Sequence, residues 1–169
     1  CAEEIARQAG DVAGVYVAPV LAYTPAPFNM SFPGTVSISV SVFESLVTEI
    51  VAGLVHHGFG NIYFLNGHGA NLEPLKRVAT GFPEVKIRIK SWWDFDAVNV
   101  LRDENYGDWE GMHATPSEVA ITQATHRTLP AGDAEQPPEK LTADYIKKHS
   151  GDRHGPPDEH RAQFPDGRV

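Results

Sequence analysis

The chain has 169 residues, 14 Lys+Arg against 22 Asp+Glu for a formal charge of -8, 41% hydrophobic and 21% charged side chains. These proportions describe one ordinary globular domain, large enough to bury a core without disulfides or structural metal, and exclude collagen-like, coiled-coil and disordered classes. No apolar run approaches the roughly 20 residues of a membrane span, CAEEIARQAG lacks the order of a signal peptide, and Cys1 is the single cysteine; a cytoplasmic protein is expected. The acidic balance and scattered Lys and Arg argue against nucleic acid and leave small-molecule chemistry as the better expectation.

Taken in chain order, Ile5, Ala6 and Ala9 fall at helical spacing and predict a helix that stops at Gly10-Asp11. The β-branched apolar run Val12 to Leu21 predicts a central strand buried on both faces of a parallel sheet. Tyr23 to Ser37, dense in Pro, Gly, Ser and Thr, reads as a long loop at a strand end. Phe43, Leu46, Val47, Ile50, Val51, Leu54 and Val55 form a helical apolar stripe, with Ser41 as N-cap and Gly58 as stop. Asn61 to Leu65 reads as a short buried strand. The polar turn NGHGAN and a helix over Leu72 to Thr80 follow, and then Val85 to Ser91 alternates as a half-exposed strand. After Trp92-Trp93 comes a less regular stretch to Met112, then a helix over PSEVAITQATH with Pro116 in its first turn. Beyond Leu129, where six of the 13 prolines lie, only Thr142 to His149 reads as helical. The alternation predicts a three-layer α/β/α domain with a mainly parallel sheet and a ligand site beyond the carboxyl ends of its strands. Residues 1–126 form the core on this reading, and residues 127–169 an irregular Pro-rich arm of the same domain, serving as a lid or subunit contact.

Two segments concentrate chemistry. Asn66-Gly67-His68-Gly69-Ala70-Asn71 brings an imidazole and two amides to one tight turn where the topology places ligands, although a solvated Asn/Gly turn explains it equally well. His113-Ala114-Thr115-Pro116-Ser117-Glu118 sets an imidazole just before a helix and a carboxylate within its first turn. These are zinc or manganese ligand types and general acid–base types; the bland alternative makes Thr115 or Ser117 a helix cap with Glu118 at the positive end. His68 and Glu118 alone are too few for catalytic zinc, which usually takes three protein ligands. HExxH, P-loop, GxGxxG and GxSxG patterns are not present in the sequence. His56 and His57, adjacent on one helix, are expected to point apart, and His149, His154 and His160 are expected to be solvated.

The segments FPGT (32–35), HGF (57–59), NGHGAN (66–71) and HATPSE (113–118), in this order, resemble the creatininase, or creatinine amidohydrolase, family over roughly residues 1–126. The resemblance implies an α/β/α metal-dependent hydrolase of C–N bonds in small amides, acting on a small-molecule amide substrate and assembled as a homo-oligomer, commonly a hexamer. It implies two divalent metal ions, Zn, Mn or Fe, with His68 similar to the histidine that binds one and Glu118 similar to the carboxylate that binds the other. Glu118 is also a catalytic candidate, and His113 resembles the histidine proposed to assist proton transfer. Asn66, Asn71, Trp92, Trp93 and Trp109 become candidates for substrate binding, the indoles because aromatic faces pack against planar cyclic amides, with core packing the alternative for each indole. Tyr23 and Phe28 are expected to be loop packing.

Two departures follow from the same comparison. The glutamate that is a ligand within the NGH motif of creatininase itself corresponds to Ala70, and the Glu-x-His and bridging Asp that precede the first helix in relatives have no counterpart here. The sequence is therefore expected to be a fragment, or a processed product with its N-terminal piece retained. An incomplete, metal-free scaffold or binding subunit is the alternative, and an N-terminal nucleophile built on Cys1 a remote one.

Overall fold

The computed structural model describes residues 1–126, 140–149 and 155–165. It is a mixed α/β fold with a parallel sheet. Helix α1 spans Ala2–Ala13 and is followed by extended chain and a single 3-10 turn, Pro27–Asn29. Then come α2 (Val40–His56), β1 (Asn61–Asn66), α3 (Leu72–Thr80) and β2 (Lys86–Ser91). Last come α4 (Asp96–Asn105), α5 (Pro116–His126), α6 (Ala143–His149) and α7 (Pro157–Gln163). Among the described residues no helix is long and apolar enough to cross a membrane.

The sheet follows from alternation. β1 and β2 pair in parallel with Ile62 opposite Ile87 and Phe64 opposite Ile89, so that one face is apolar; the other carries Tyr63 opposite Arg88 and Leu65 opposite Lys90. Helices α2 and α3 cover the apolar face. Phe43, Val47 and Val51, three or four residues apart on α2, meet Leu75 and Val78 of α3, with Ile62, Phe64, Ile87 and Ile89 beneath them. The guanidinium of Arg77 on α3 donates to Glu44 of α2 at 2.6 Å, fixing the two helices at their rim. Because Tyr63 is half exposed, β1 is not the fully buried strand its composition predicts.

The N-cap of α2 is Ser39, whose hydroxyl accepts from Val42 N, two residues before the expected Ser41; the chain leaves the helix at His57 and turns at Gly58 with φ 87°. His57 has left helical geometry, so its ring meets that of His56 at 5.0 Å rather than pointing away.

The expected strand over 12–21 does not form. α1 runs through Gly10 to Ala13 and ends in Gly14, which adopts left-handed geometry and donates to Gly10 O. Gly10 is a close-approach residue rather than a stop, since a Cβ there would lie 2.4 Å from Cγ2 of Val17. Among the described residues, 15–26 have no sheet partner, and Val15, Tyr16, Val17 and Val20 remain exposed. An apolar run becomes a central strand only where backbone partners flank it, and in the described residues Val17 packs over α1 instead. Helices α4 and α7 are additions to the expected element list; the notional arm is described only as α6 and α7, because residues 127–139, 150–154 and 166–169 lie outside the described residues.

Candidate active site

The NGHGAN turn sits at the carboxyl end of β1 and is built from its own amides. Asn66 Nδ2 donates to His68 O at 2.8 Å and to Ser91 Oγ, at the end of β2, at 3.1 Å; Asn66 Oδ1 accepts from His68 N and from Asn71 Nδ2, each at 3.2 Å. Both asparagines are buried. Neither is a solvated turn residue: together they fix the backbone at His68 and bolt it to the neighbouring strand.

His68 points back to the loop before α2. Its Nε2 lies 2.9 Å from Pro25 O, and because a carbonyl only accepts, Nε2 carries the proton and Nδ1 keeps the lone pair. Burial holds the imidazole pKa below its ordinary value, against the opposing pull of the Pro25 hydrogen bond, so the ring is neutral at pH 7.

The second segment closes on itself as a capping box. Thr115 Oγ1 accepts from Glu118 N at 3.3 Å, and Glu118 Oε2 accepts from Thr115 N at 3.1 Å, with Pro116 at the first helical position. Burial, seconded by repulsion from Glu110, raises the Glu118 pKa, while the Thr115 hydrogen bond, the N-terminal amine and Arg102 act in the opposite direction. Ser117 donates to Glu110 Oε1, which also takes Arg102 Nε at 2.9 Å, and Arg102 lies over the Trp92 ring at 5.5 Å. The bland reading of this segment is therefore physically present, with Thr115 as the cap; it engages one carboxylate oxygen of Glu118.

Between these segments stands Phe28. Its ring stacks on His68 (5.8 Å, 18°) and on His113 (5.5 Å, 30°), so one buried phenyl group joins the two motifs across 45 residues of sequence. A third imidazole meets the same ring edge-on: His160 of α7, at 6.1 Å and 84°. His160 is 8% exposed, not solvated as expected, and burial together with His149 lowers its pKa. Phe28 is thus the centre of the cluster rather than incidental loop packing. Its role had no motif to announce it, but α7 carried a legible start signal in Pro156-Pro157-Asp158-Glu159.

The tryptophans lie in three settings. Trp92 is 3% exposed and meets Trp93 edge-on at 5.7 Å, while Trp109 is half exposed with Lys140 Nζ 4.6 Å above its ring. Cys1 rests against α5, its thiol 3.6 Å from Glu118 O. His149 stacks on Tyr145 at 4.3 Å, and His154 lies outside the described residues.

The donor set was expected to hold metal. The pattern at His68, an imidazole whose second nitrogen donates to a backbone carbonyl, is that of an oriented metal ligand. Among the described residues, however, no group of three His, Cys, Asp or Glu side chains is placed to hold an ion. His68 and Glu118 do not complete a centre by themselves.

A parallel sheet, with the imidazoles of His68, His113 and His160 gathered around Phe28 beyond the end of its first strand, defines an α/β protein. The family described as creatininase, creatinine amidohydrolase, matches residues 1–169, the whole chain, and the protein belongs to that family. No curated protein matches the sequence. Family membership supports an amidohydrolase-like activity on a small molecule, in a family that is generally metal-dependent.

Proposed function

We propose that the protein is a metal-dependent amidohydrolase that cleaves a non-peptide C–N bond of a small cyclic amide. The observation that carries this reading is His68: half-buried, neutral, with Nε2–H committed to Pro25 O and Nδ1 left as the basic nitrogen, in a family of amidohydrolases. His68 and the uncommitted oxygen of Glu118 are the metal-facing donors on this reading, and further donors must come from outside the described residues. Zn, Mn and Fe all suit imidazole and carboxylate.

The chain's own residues set the stage for amide cleavage. His113, stacked on Phe28, is the proton carrier to the leaving nitrogen, a role general acid–base groups fill at about 10²–10⁴-fold in rate. Glu118, whose burial raises its pKa, is the second catalytic group. Asn66 and Asn71 serve the substrate through the turn they fix, and Trp93 and Trp109 supply aromatic surface for a planar amide, while Trp92, buried against Trp93 and Arg102, supports it as core packing. A cytoplasmic homo-oligomer, a hexamer by family resemblance, completes the proposal. The two-donor count favours one competing reading, a metal-free scaffold or binding subunit.

Elemental analysis after gel filtration, on the wild type and His68→Ala, tests the two readings together. One or two equivalents of Zn, Mn or Fe per chain, lost in the variant, are expected. Equal stoichiometry in both proteins removes His68 from the site, and no metal in the wild type after reconstitution leaves the scaffold reading.

A further inference from the structure

The geometry points to α7 as part of the site, with His160 a positioning residue that fixes the ring plane of His113; this rests on the proton-transfer role proposed for His113. Helix α7 is short and mostly exposed, and its one buried side chain is a histidine turned into the aromatic cluster. Phe28 stacks on one side of His113, and His160 meets His113 edge-on at 6.0 Å and 83°, so the imidazole is held on two sides at right angles. The backbone around His113 is a loop with left-handed geometry at Gly111 (φ 62°) and Ala114 (φ 49°). The second side-chain torsion of histidine is intrinsically broad, so the ring plane is set by its neighbours.

His160 is itself fixed by anchors on the same loop that carries Phe28. Ser31 donates its hydroxyl to Asp158, Arg161 donates to Ser31 O, and the Arg161 guanidinium lies over Phe32 at 5.5 Å. Phe32 in turn meets His160 at 5.8 Å and 73°. Asp158, His160 and Arg161, within one turn of α7, thus tie it to residues 28–32, and the residue they deliver is the neighbour of His113. A ring held in this way keeps its nitrogens at a constant place, which is what a proton carrier requires and what substrate affinity does not.

The full chain with His160→Ala and His160→Phe tests this, using carbon–proton correlation spectra of the imidazole rings and hydrolysis of creatinine and succinimide. His160→Ala is expected to shift and broaden the His113 ring resonances and lower kcat at least about tenfold with KM unchanged. His160→Phe restores an edge-on ring and is expected to stay near wild type in both readouts. Unaltered His113 resonances in His160→Ala overturn the proposal, as does a folded His160→Phe with displaced His113 resonances. If His160→Ala does not fold, the spectra of His160→Phe decide alone. If the wild type hydrolyses neither probe, the amidohydrolase reading loses support on these substrates, while the spectra still decide the positioning claim.

Discussion

Glu118 shows how one side chain serves two masters. Its capping hydrogen bond with Thr115 stabilises α5, while burial makes its charge costly. A carboxyl whose pKa is raised on folding contributes stability that is complete below its ordinary value of 4.5 and is lost as pH rises through the folded value. In EDTA-treated protein, Glu118→Gln keeps an acceptor at the third helical position and removes the charge. Thermal unfolding should therefore give the variant a higher Tm than wild type at pH 7, and the advantage should vanish at acid pH. Glu118→Ala, which loses the cap as well, should be less stable than Glu118→Gln by about 1 kcal/mol; a Gln variant weaker than wild type at pH 7 contradicts the assignment of cause. Gly10 supplies a second test of local physics. Alanine in a helix interior gains roughly 0.8–1 kcal/mol over glycine, but here its Cβ would collide with Val17, and overpacking costs about 1–3 kcal/mol. Urea denaturation should show Gly10→Ala destabilised by about 1 kcal/mol and Gly10→Ala/Val17→Ala recovered.

At the scale of elements, α2 organises the core and shows what sequence can and cannot reveal. Val47 is fully buried and Leu46, one residue away, is 41% exposed. Val47→Ala should cost about 1.5–3 kcal/mol in chemical denaturation and Leu46→Ala less than about 0.5 kcal/mol; similar losses would contradict the packing of this face. That stripe was legible because the 3- and 4-residue spacing is strong over 17 residues, and β2 was legible because Lys86, Arg88 and Lys90 alternate with Ile87 and Ile89. Val12 to Leu21 misled for the opposite reason. Its apolar composition states what could be buried, not whether backbone partners stand beside it, and a short apolar run does not distinguish strand from helix end plus extended chain. α4 was missed because its apolar residues, Ala97, Val98, Val100 and Leu101, span little more than one turn, and it buries no residue fully.

The whole molecule brings the distant segments 25–34, 66–71, 113–118 and 157–164 to one place. His68 and His113, the two imidazoles on which Phe28 stacks, stand in motifs that the sequence displays. Phe28 and His160 do not, because aromatic contact across more than 100 residues leaves no spacing to read. Whether these imidazoles serve amide hydrolysis is decided by the turnover of a cyclic-amide panel, creatinine included, by metal-reconstituted wild type and His113→Ala at equal metal content. Measurable turnover in the wild type and a loss of at least about 100-fold in kcat in the variant, with metal retained, are expected. Equal rates in the two proteins, or no turnover of any amide by the metal-loaded wild type, would contradict that role.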